Sequence, residues 1–340
     1  MMTSGSIPRP SMPRRALALG VVAGLAACAG PSVPRTVGAD SSLRKIEVNG
    51  VALHAEAFGP VDAPVVIVVH GGPGNDFRYL LPLQALADGW RVVFYDQRGS
   101  GLSARIPDDQ LTLEAFYGDL DAVVERYGGG RPVRIVGHSW GAMLASGYTG
   151  LHPEKVERLV LAEPGMLTRQ TARLLMAATN DMEPRWSLQL LWIGATTWVR
   201  SLGVWGPDDD ARADWLMGTL SATPFDGHPV EGYYCGRDLA TARLEGWRFG
   251  ARVAPALFAR ARAADGGWDI DFVRGVDRYG GKVLFLAGSC DEVAGEAQQR
   301  RHMAHFHDAR LEVIEGAGHT MFGEKPEASV AAVRRFLEER

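Results

Sequence analysis

Short apolar runs alternate with segments of helical spacing along most of the chain. Residues 65–69 contain only valine and isoleucine, which is typical of a strand buried on both faces. Similar runs predict further strands at residues 91–95, 133–136, 159–161, 283–287 and 311–314. A helix that ends at Gly128 is predicted from apolar positions at helical spacing, namely Leu113, Phe116, Leu120, Val123 and Tyr127. This alternation predicts an α/β fold with a doubly wound, mostly parallel sheet.

Two further patterns stand at the ends of this sheet region. Residues 46–53 alternate apolar and polar around Asn49 and Gly50, a pair that strongly indicates a β-hairpin. Near the other end, Pro326 suits the first turn of a helix whose Val330 and Val333 would share one face. The core is therefore expected to comprise residues 43–165 and 279–340.

The strand rhythm stops between residues 166 and 278. That stretch has no clear apolar strand, and helix-compatible segments dominate it at residues 173–180, 188–202 and 239–264. It also holds seven of the nine tryptophans, enough aromatic surface to build a small core of its own: Trp186, Trp192, Trp198, Trp205, Trp215, Trp247 and Trp268. We predict a helical cap inserted into the core, with these tryptophans packed inside it or, as the alternative, lining a substrate pocket.

The N-terminal segment does not fit the pattern of a folded domain. Three arginines precede an apolar run at residues 16–25 that is too short to span a bilayer, as in a secretory signal peptide. The run ends in Leu25-Ala26-Ala27-Cys28, which resembles the lipobox of bacterial lipoproteins, although an ordinary alanine-type cleavage site is the alternative. The pattern predicts a signal peptide at residues 1–27, a lipid on Cys28 and a flexible tether at residues 28–42. The protein would then be exported from the bacterial cytoplasm and held on the membrane, facing the periplasm or the cell exterior.

Composition narrows the range of partners. The formal charge is −4, and removal of residues 1–27, which carry three arginines and no acid, changes it to −7. A mildly acidic chain is not expected to bind nucleic acid. Three cysteines are too few for a disulfide framework, and whether Cys235 and Cys290 pair is left open.

The strand at residues 133–136 leads directly into the motif Gly137-x-Ser139-x-Gly141, and a run of small apolar residues follows. A sharp turn between a strand and a helix lifts a serine hydroxyl clear of the sheet, and glycines on both sides allow the turn to close. The pattern predicts that Ser139 is a nucleophile.

A serine nucleophile requires a base, and the base requires an acid that orients it. On a sheet of this kind the acid and the histidine follow later strands, in the chain order Ser, Asp, His. Asp291 lies four residues after the strand residue Ala287, and His319 lies five residues after Ile314. We therefore predict a triad of Ser139, Asp291 and His319, with Glu292 as the alternative acid.

These motifs resemble the α/β-hydrolase superfamily, and more narrowly its proline iminopeptidase-like serine hydrolases. The resemblance covers roughly residues 45–165 and 280–340. The motifs that carry it are His70-Gly71-Gly72-Pro73-Gly74, Asp96-Gln97-Arg98-Gly99-Ser100-Gly101 and Gly137-His138-Ser139-Trp140-Gly141. The resemblance implies an oxyanion hole made by the backbone N–H groups of Gly72 and Trp140, with Gly71 as the nearby alternative to Gly72. We further expect His70 to brace the glycine loop, Asp96 and Arg98 to pair, and His138 to neighbour the nucleophile without acting as a base.

Relatives with activity on N-terminal proline hold the free amine of the substrate with carboxylates of the cap. A buried ammonium does need a paired carboxylate. The cap contains Glu183, Glu231 and Glu245 as candidates, although none aligns firmly with the family's positions, and each could equally be a solvated surface residue.

Taken together, the motifs predict a serine hydrolase that forms an acyl-enzyme on a small amide or ester and needs neither metal nor cofactor. The leading substrate class is a short peptide with an apolar or prolyl N-terminal residue, as for an aminopeptidase. An esterase or another small-molecule hydrolase is the first alternative, and a non-catalytic binding protein is the second. The expected contact with a membrane is through the lipid on Cys28 only.

Overall fold

The computed structural model describes residues 31–179, 183, 185–238, 246–264 and 267–339. Within them, one eight-stranded sheet has the order β1-β2-β4-β3-β5-β6-β7-β8. Its strands are β1 Lys45–Val48, β2 Val51–Phe58, β3 Val65–Val69, β4 Arg91–Tyr95, β5 Val133–His138, β6 Val156–Ala162, β7 Lys282–Gly288 and β8 Ala309–Ile314. The β1–β2 and β2–β4 pairs are antiparallel and the remaining pairs are parallel. The predicted doubly wound α/β fold is confirmed.

The first two strands form the predicted hairpin. Asn49 and Gly50 connect them with φ values of 48° and 76°, the left-handed conformations that a tight hairpin turn requires. Asparagine and glycine adopt positive φ at low cost, so these two residues set the register in which Val48 faces Val51.

Both faces of the sheet are covered, which explains the uninterrupted apolar runs. Strand β3 is completely buried, and its alternate residues enter two different cores. Ile67 and Val69 pack in the core that contains helices α1 Leu113–Gly128 and α2 Trp140–Leu151. Val66 and Val68 pack in the core that contains the 3-10 helix Arg78–Asp88 and the C-terminal helix Pro326–Glu338. The sheet therefore lies between two layers of helices, as a doubly wound fold requires.

Two predicted helix boundaries, the end of α1 at Gly128 and the start of the last helix at Pro326, agree with the structure. Thr112 caps the N-terminus of α1 by accepting a hydrogen bond from the Ala115 N–H at 3.2 Å. The helix ends at Gly128, and Gly129 has the left-handed conformation typical of a C-terminal cap. The last helix begins at Pro326, as its composition predicts.

The cap lies between β6 and β7. Its helices among the described residues are α3 Arg169–Ala178, α4 Leu188–Ser201, α5 Ala211–Ala222 and α6 Val253–Arg260. The sequence analysis did not predict α5. The predicted helix at 239–264 is wrong for residues 246–252 and 261–264, while residues 239–245 lie outside the described residues. For residues 246–252 the reason is a tertiary contact: the Trp247 and Arg248 N–H groups donate to the Asp76 carboxylate, which replaces the hydrogen bonds of a helix there. The remaining helices, in chain order, are α7 Glu296–Met303, α8 Met321–Glu324 and α9 Pro326–Glu338.

The prediction that the cap tryptophans are buried is wrong for four of the seven. Trp186, Trp192, Trp198 and Trp205 are more than half exposed. By contrast, Trp247 packs beside Phe77 and His54, and Trp268 stacks near Phe258. Apolar composition alone could not say which of these rings face inward.

The described part of the predicted tether is not free. Thr36 and Val37 are buried, and the Val37 N–H donates to the Leu102 carbonyl at 2.8 Å. The Pro34 carbonyl accepts a hydrogen bond from Arg248 at 3.2 Å. The prediction of flexibility is therefore wrong for residues 34–37. The predicted signal peptide and Cys28 lie outside the described residues. Among the helices of the described ranges, none has the length and apolarity that crossing a bilayer demands.

Candidate active site

Ser139 occupies a sharp turn between β5 and α2. Its φ is 54°, a strained value for a serine, and its N–H donates to the Ala162 carbonyl at 2.9 Å. The flanking glycines are required sterically. A Cβ on Gly137 would lie 2.6 Å from the Cα of Ala142, and a Cβ on Gly141 would overlap the Val69 carbonyl oxygen. The predicted strand–turn–helix context is confirmed.

The structure brings the three predicted residues together. His319 Nε2 lies 2.9 Å from Ser139 Oγ, and His319 Nδ1 lies 3.1 Å from Asp291 Oδ2. Two further contacts position the histidine. Its backbone N–H donates to the Tyr233 carbonyl at 2.8 Å, and the centroids of the two side-chain rings lie 4.5 Å apart. This is the geometry in which an imidazole can accept a proton from a serine hydroxyl.

A second carboxylate, which the sequence analysis missed, contacts the same imidazole nitrogen. Glu163 Oε2 lies 2.9 Å from His319 Nδ1, closer than Asp291, and the Glu163 side chain is completely buried. The signal that could have identified it is its position. Glu163 directly follows β6, at the same edge of the sheet as His70, Asp96 and Ser139.

Each carboxylate is held by backbone donors on its other oxygen. Glu163 Oε1 accepts from the Gly288 N–H at 2.6 Å, and the Glu163 backbone has a φ of 44°. Asp291 Oδ1 accepts from the N–H groups of Val293 at 2.8 Å and Ala294 at 2.7 Å. Each acid is thus oriented by its own backbone donors, and both contact His319.

Electrostatics at this centre follow from the burial of three ionisable groups. Burial raises the pKa of Glu163 well above its ordinary value, and the charge of Asp291 raises it further. Burial alone would lower the pKa of His319. The hydrogen bonds that His319 donates to Asp291 and Glu163, together with the charges of these acids, outweigh that effect and raise the pKa to about 10. The site therefore favours the imidazolium, the species that forms when His319 takes a proton.

Glu292, the alternative acid, is elsewhere. It is exposed and binds Arg237 at 2.7 Å. Its carboxylate is therefore used in a surface ion pair, and Asp291 takes the position beside the histidine.

The glycine loop offers one of its two candidate N–H groups to a substrate. The Gly71 N–H already donates to the Tyr79 hydroxyl at 2.7 Å, and that hydroxyl donates to His138 Nδ1, also at 2.7 Å. No hydrogen bond from the Gly72 N–H occurs in the described part of the chain. Trp140 is the first residue of α2, so its N–H has no partner inside the helix. These contacts favour Gly72 over Gly71 as the partner of Trp140.

His138 neighbours the nucleophile without competing with His319. Because the Tyr79 hydroxyl donates to Nδ1, the proton of the His138 ring lies on Nε2, which donates to the His319 carbonyl at 2.7 Å. Burial and the nearby His319 lower the pKa of His138 to about 3. His138 is therefore a neutral spacer between Tyr79 and the His319 loop.

His70 braces the glycine loop, as expected. Its Nδ1 donates to the Gly71 carbonyl at 2.8 Å, and its Nε2 accepts from the Gln97 N–H at 2.9 Å. The Gln97 side chain returns a bond to the His70 carbonyl and accepts one from Trp140 Nε1 at 2.8 Å. The three sequence motifs are thus joined by side-chain hydrogen bonds around Ser139.

The expected Asp96–Arg98 pair is wrong. Asp96 accepts hydrogen bonds from His54 Nδ1 at 2.8 Å and from the N–H groups of Phe77 and Leu102. With its oxygens occupied, it has no free face for the guanidinium. Arg98 instead makes a bidentate pair with Asp119 of α1, at 2.6 and 2.7 Å.

Comparison with known proteins agrees with this geometry. Residues 64–197 match a family model described as the alpha/beta hydrolase fold. The chain has the α/β-hydrolase fold. Its similarity to the proline iminopeptidase PfmaB of Pestalotiopsis fici is 26% identity, covering 86% of this chain and 98% of that one.

Other relatives of this chain have different activities. It is 23% identical to a cis-3-alkyl-4-alkyloxetan-2-one decarboxylase of Xanthomonas campestris, covering 85% of this chain and 93% of that one. Among solved structures, a proline iminopeptidase-related protein of Thermus thermophilus matches with a TM-score of 0.58 and 23% identity, covering 87% and 96% of the two chains. The fold is therefore shared, whereas the named activities of these relatives differ.

The two candidate cap acids within the described ranges, Glu183 and Glu231, do not converge on Ser139. Glu183 and Glu231 border a surface cavity of about 200 Å³, and Arg237 lies 3.8 Å from Glu231 in an ion pair. Glu231 also accepts from the Gly227 N–H at 3.1 Å. Glu183 is exposed, and Glu245 lies outside the described residues. Glu231 therefore already has a cation of the protein as its partner.

A second cavity, of about 220 Å³, lies between the glycine loop and the cap. Asn75, Asp76 and Tyr79 form its core side, and Trp215 and Phe249 contribute from the cap. Burial and the charge of Asp96 raise the pKa of Asp76 to about 7. Ser139, Gly72 and Trp140 are not among the residues that line this cavity.

One group of side chains in the described ranges has the proximity of metal ligands. His138, Glu163 and His319 have donor atoms within 4.8 Å of one another. Every imidazole nitrogen in this group is engaged in a hydrogen bond: His138 with Tyr79 and the His319 carbonyl, His319 with Ser139 and the two acids. The hydrogen-bond network accounts for the cluster.

The question of cysteine pairing is answered by the structure. Cys235 of the cap and Cys290 form a disulfide. Cys290 immediately precedes Asp291, and Cys235 follows Tyr233, whose carbonyl binds His319. The bond therefore joins the cap to the loop that carries the acid.

Proposed function

We propose that the protein is a serine hydrolase that cleaves small amides or esters through an acyl-enzyme on Ser139. The observation that carries this proposal is the 2.9 Å contact between Ser139 Oγ and His319 Nε2, with two carboxylates on the opposite ring nitrogen. A serine raised on a strained turn, a base and an orienting acid are the parts that acyl transfer requires.

In the proposed reaction Ser139 Oγ bonds to the substrate carbonyl carbon while its proton passes to His319 Nε2. The oxyanion lies against the N–H groups of Gly72 and Trp140, each of which would lower the barrier by about 3 kcal/mol. The tetrahedral intermediate collapses, the bond to the amine or alkoxide breaks, and His319 gives its proton to that leaving group. A water then attacks the acyl-enzyme by the reverse sequence, with His319 as base, and frees the acid and Ser139.

Asp291 and Glu163 are assigned to positioning in this scheme. Both hold the proton of His319 on Nδ1, which leaves Nε2 free to accept from Ser139. Their charge stabilises the imidazolium during transfer.

Reaction with a fluorophosphonate probe tests the nucleophile. The unmodified chain should gain one label, Ser139→Ala should gain none, and Ser42→Ala, an exposed control, should react like the unmodified protein. Labelling of Ser139→Ala at the rate of the unmodified protein would contradict the assignment.

A finer proposal is aminopeptidase activity on a prolyl or apolar N-terminal residue. It is supported by the similarity to the proline iminopeptidase PfmaB along nearly the whole of that protein. Such an enzyme must distinguish a free ammonium from a blocked one, and loss of the carboxylate that pairs with the ammonium should reduce turnover about a hundredfold or more. Glu231→Gln and Glu183→Gln should therefore be compared on prolyl arylamide and on a neutral nitrophenyl ester.

The wild-type enzyme gives the simplest discrimination. An aminopeptidase should hydrolyse prolyl arylamide and reject N-acetylprolyl arylamide. Equal rates on the free and blocked substrates would exclude amine recognition and favour the esterase alternative, while leaving the triad proposal intact.

We also propose that the protein is exported and carries a lipid on Cys28. The support is the sequence Leu25-Ala26-Ala27-Cys28 after an apolar run. Cys28→Ser should move the protein out of the membrane fraction or leave the signal uncleaved. Unchanged fractionation with unchanged mass would refute lipidation.

A further inference from the structure

The outer face of the cap helix α4 is apolar and exposed. Its side chains at positions i, i+3, i+4, i+7, i+11 and i+14 lie along one side of the helix: Leu188, Leu191, Trp192, Ala195, Val199 and Leu202. Leu188 is 86% exposed and Trp192 is 72% exposed. On the opposite side Thr197 and Ser201 are buried. The helix thus presents its apolar face outward, the reverse of an ordinary surface helix.

The neighbouring residues extend this face. Trp186 and Trp205 lie just before and after the helix and are 81% and 89% exposed. Eight of the twelve large apolar side chains that are exposed in the described ranges fall between residues 186 and 205. Arg200 is the sole charged residue of that stretch. A contiguous exposed apolar patch of this kind marks an interaction site. We call residues 186–205 the α4 face.

The course of the N-terminal segment identifies the occupant. Ser32 and Val33 line the cavity beside Trp215 of α5, and Pro31 lies against Gly203, immediately after α4. Cys28 is three residues before Pro31 in the sequence, and three residues of fully extended chain span at most about 11 Å. A lipid on Cys28 would therefore enter the bilayer beside Leu202 and Trp205.

We propose that the α4 face docks in the plane of a lipid bilayer. The helix has 14 residues, about 21 Å of length, which is less than the apolar thickness of a membrane and suits a helix lying in the interface. Leucine and valine would enter the acyl region, while the tryptophans at both ends would lie at headgroup level. This inference rests partly on the proposed lipid on Cys28, but the face itself is a property of the cap.

Local contact with lipid is the first test. In the full chain with Cys28→Ser, pairing of Cys235 with Cys290 leaves no other thiol, so a cysteine introduced at position 192 can be labelled with an environment-sensitive fluorophore. Vesicles of equal parts phosphatidylethanolamine and phosphatidylglycerol should shift its emission to shorter wavelength. Lipids with a quencher in the acyl chain should dim it.

A matched control is available on the opposite side of the molecule. Val61 is 77% exposed and lies between β2 and β3, at the edge of the sheet away from the cap. A fluorophore at position 61 should not respond to vesicles. An unresponsive label at position 192, or equal responses at both positions, would overturn the proposal.

The second test measures vesicle binding by sedimentation, again with Cys28→Ser. Leu191→Glu combined with Val199→Glu should weaken binding at least about tenfold, because each change places a charge where an apolar group was to be buried. Val61→Glu should bind like its parent, and all variants should keep the parent's rate on a soluble ester. Salt should have little effect, since apolar contact and not charge carries the binding.

Two results would contradict docking of the α4 face on a bilayer. If Leu191→Glu with Val199→Glu binds vesicles as well as its parent, the α4 face is not the lipid contact. If light scattering shows a dimer that this variant loses, the occupant is a second copy of the chain. Because no variant here can carry the lipid, failure of the Cys28 proposal would leave both tests unaffected.

Discussion

Two carboxylates meet at one imidazole nitrogen in this site. Asp291 and Glu163 lie 3.1 and 2.9 Å from His319 Nδ1, and each is fixed by separate backbone donors. Either one can accept a hydrogen bond from the Nδ1–H group and so keep the ring in the tautomer that Ser139 needs. The second acid therefore duplicates the orienting function.

This duplication predicts non-additive losses. Removal of the single acid in a serine triad lowers kcat by about 10⁴, because the ring then adopts the wrong tautomer. Here Asp291→Asn or Glu163→Gln alone should cost only about 10–100-fold, and the double variant should approach the full 10⁴-fold loss. Steady-state kinetics of the four proteins will measure the coupling. A full loss in Asp291→Asn alone would contradict it.

The same carboxylates predict the pH dependence. His319 acts as base only when neutral, and its pKa is raised to about 10, so the imidazolium persists to higher pH than usual. We expect kcat/KM to rise with pH, with its acidic limb above the ordinary histidine value of about 6.5. Asp291→Asn removes a negative neighbour, which should move this limb to lower pH by about one unit or more. A limb that stays in place would show that Asp291 does not act on the pKa of His319.

For individual residues, the sequence predicts those site positions that the spacing after a strand determines. Ser139, His319 and Asp291 each follow a strand in a recognisable loop, so their meeting could be anticipated. Glu163 also follows a strand, but nothing in its neighbours separates a buried catalytic acid from a loop anchor. Its contact with His319 depends on the positive φ at residue 163 and on the Gly288 N–H, which lies 125 residues away in the chain.

Among the elements, the turn between β5 and α2 depends on close packing of backbone. A Cβ on Gly141 would overlap the Val69 carbonyl, so α2 can approach β3 only with glycine there. Gly141→Ala should lower the free energy of unfolding by about 1–3 kcal/mol and reduce activity, because Ser139 directly precedes the first residue of the same helix.

Gly194 provides the control for that variant. It lies in the exposed helix α4, and an added Cβ would have no heavy atom within 4 Å. Its φ is not positive. Gly194→Ala should leave activity unchanged and raise stability by about 1 kcal/mol, as expected for alanine in a helix interior. Denaturant unfolding of both variants checks the pair. Equal effects would show that Gly141 has no special steric role.

Predictability of the elements differs between the core and the cap. The core strands are recognisable because burial on both faces leaves an unbroken apolar run, as in β3. In the cap, tertiary contacts decide the outcome. Asp76 takes the backbone N–H groups of Trp247 and Arg248 and prevents the helix expected there, and the outward direction of α4 contradicts the rule that apolar faces are buried.

For the whole molecule, the disulfide between Cys235 and Cys290 closes a loop over 55 residues of sequence. Loss of that constraint should lower the free energy of unfolding by about 4 kcal/mol in the chain-entropy estimate. Cys235→Ser and Cys290→Ser should show this loss equally in urea unfolding, and a reductant should produce it in the unmodified chain. Cys28→Ser should have no effect, and a similar loss there would point to a different origin.

The disulfide also limits how the cap can move. The cap is attached to the loop of Asp291 through Cys235. Its centre is attached to the core by the ion pair between Asp214 and Arg105 at 3.0 Å. The segment at Trp247 is held by Asp76. Among the described residues, helix α4 has no comparable attachment to the sheet. We therefore expect the cap to fluctuate at α4, with the attached segments acting as the hinge. If the α4 face docks on lipid as proposed, a substrate would enter through the sector that carries this face, and contact with lipid would control access to Ser139.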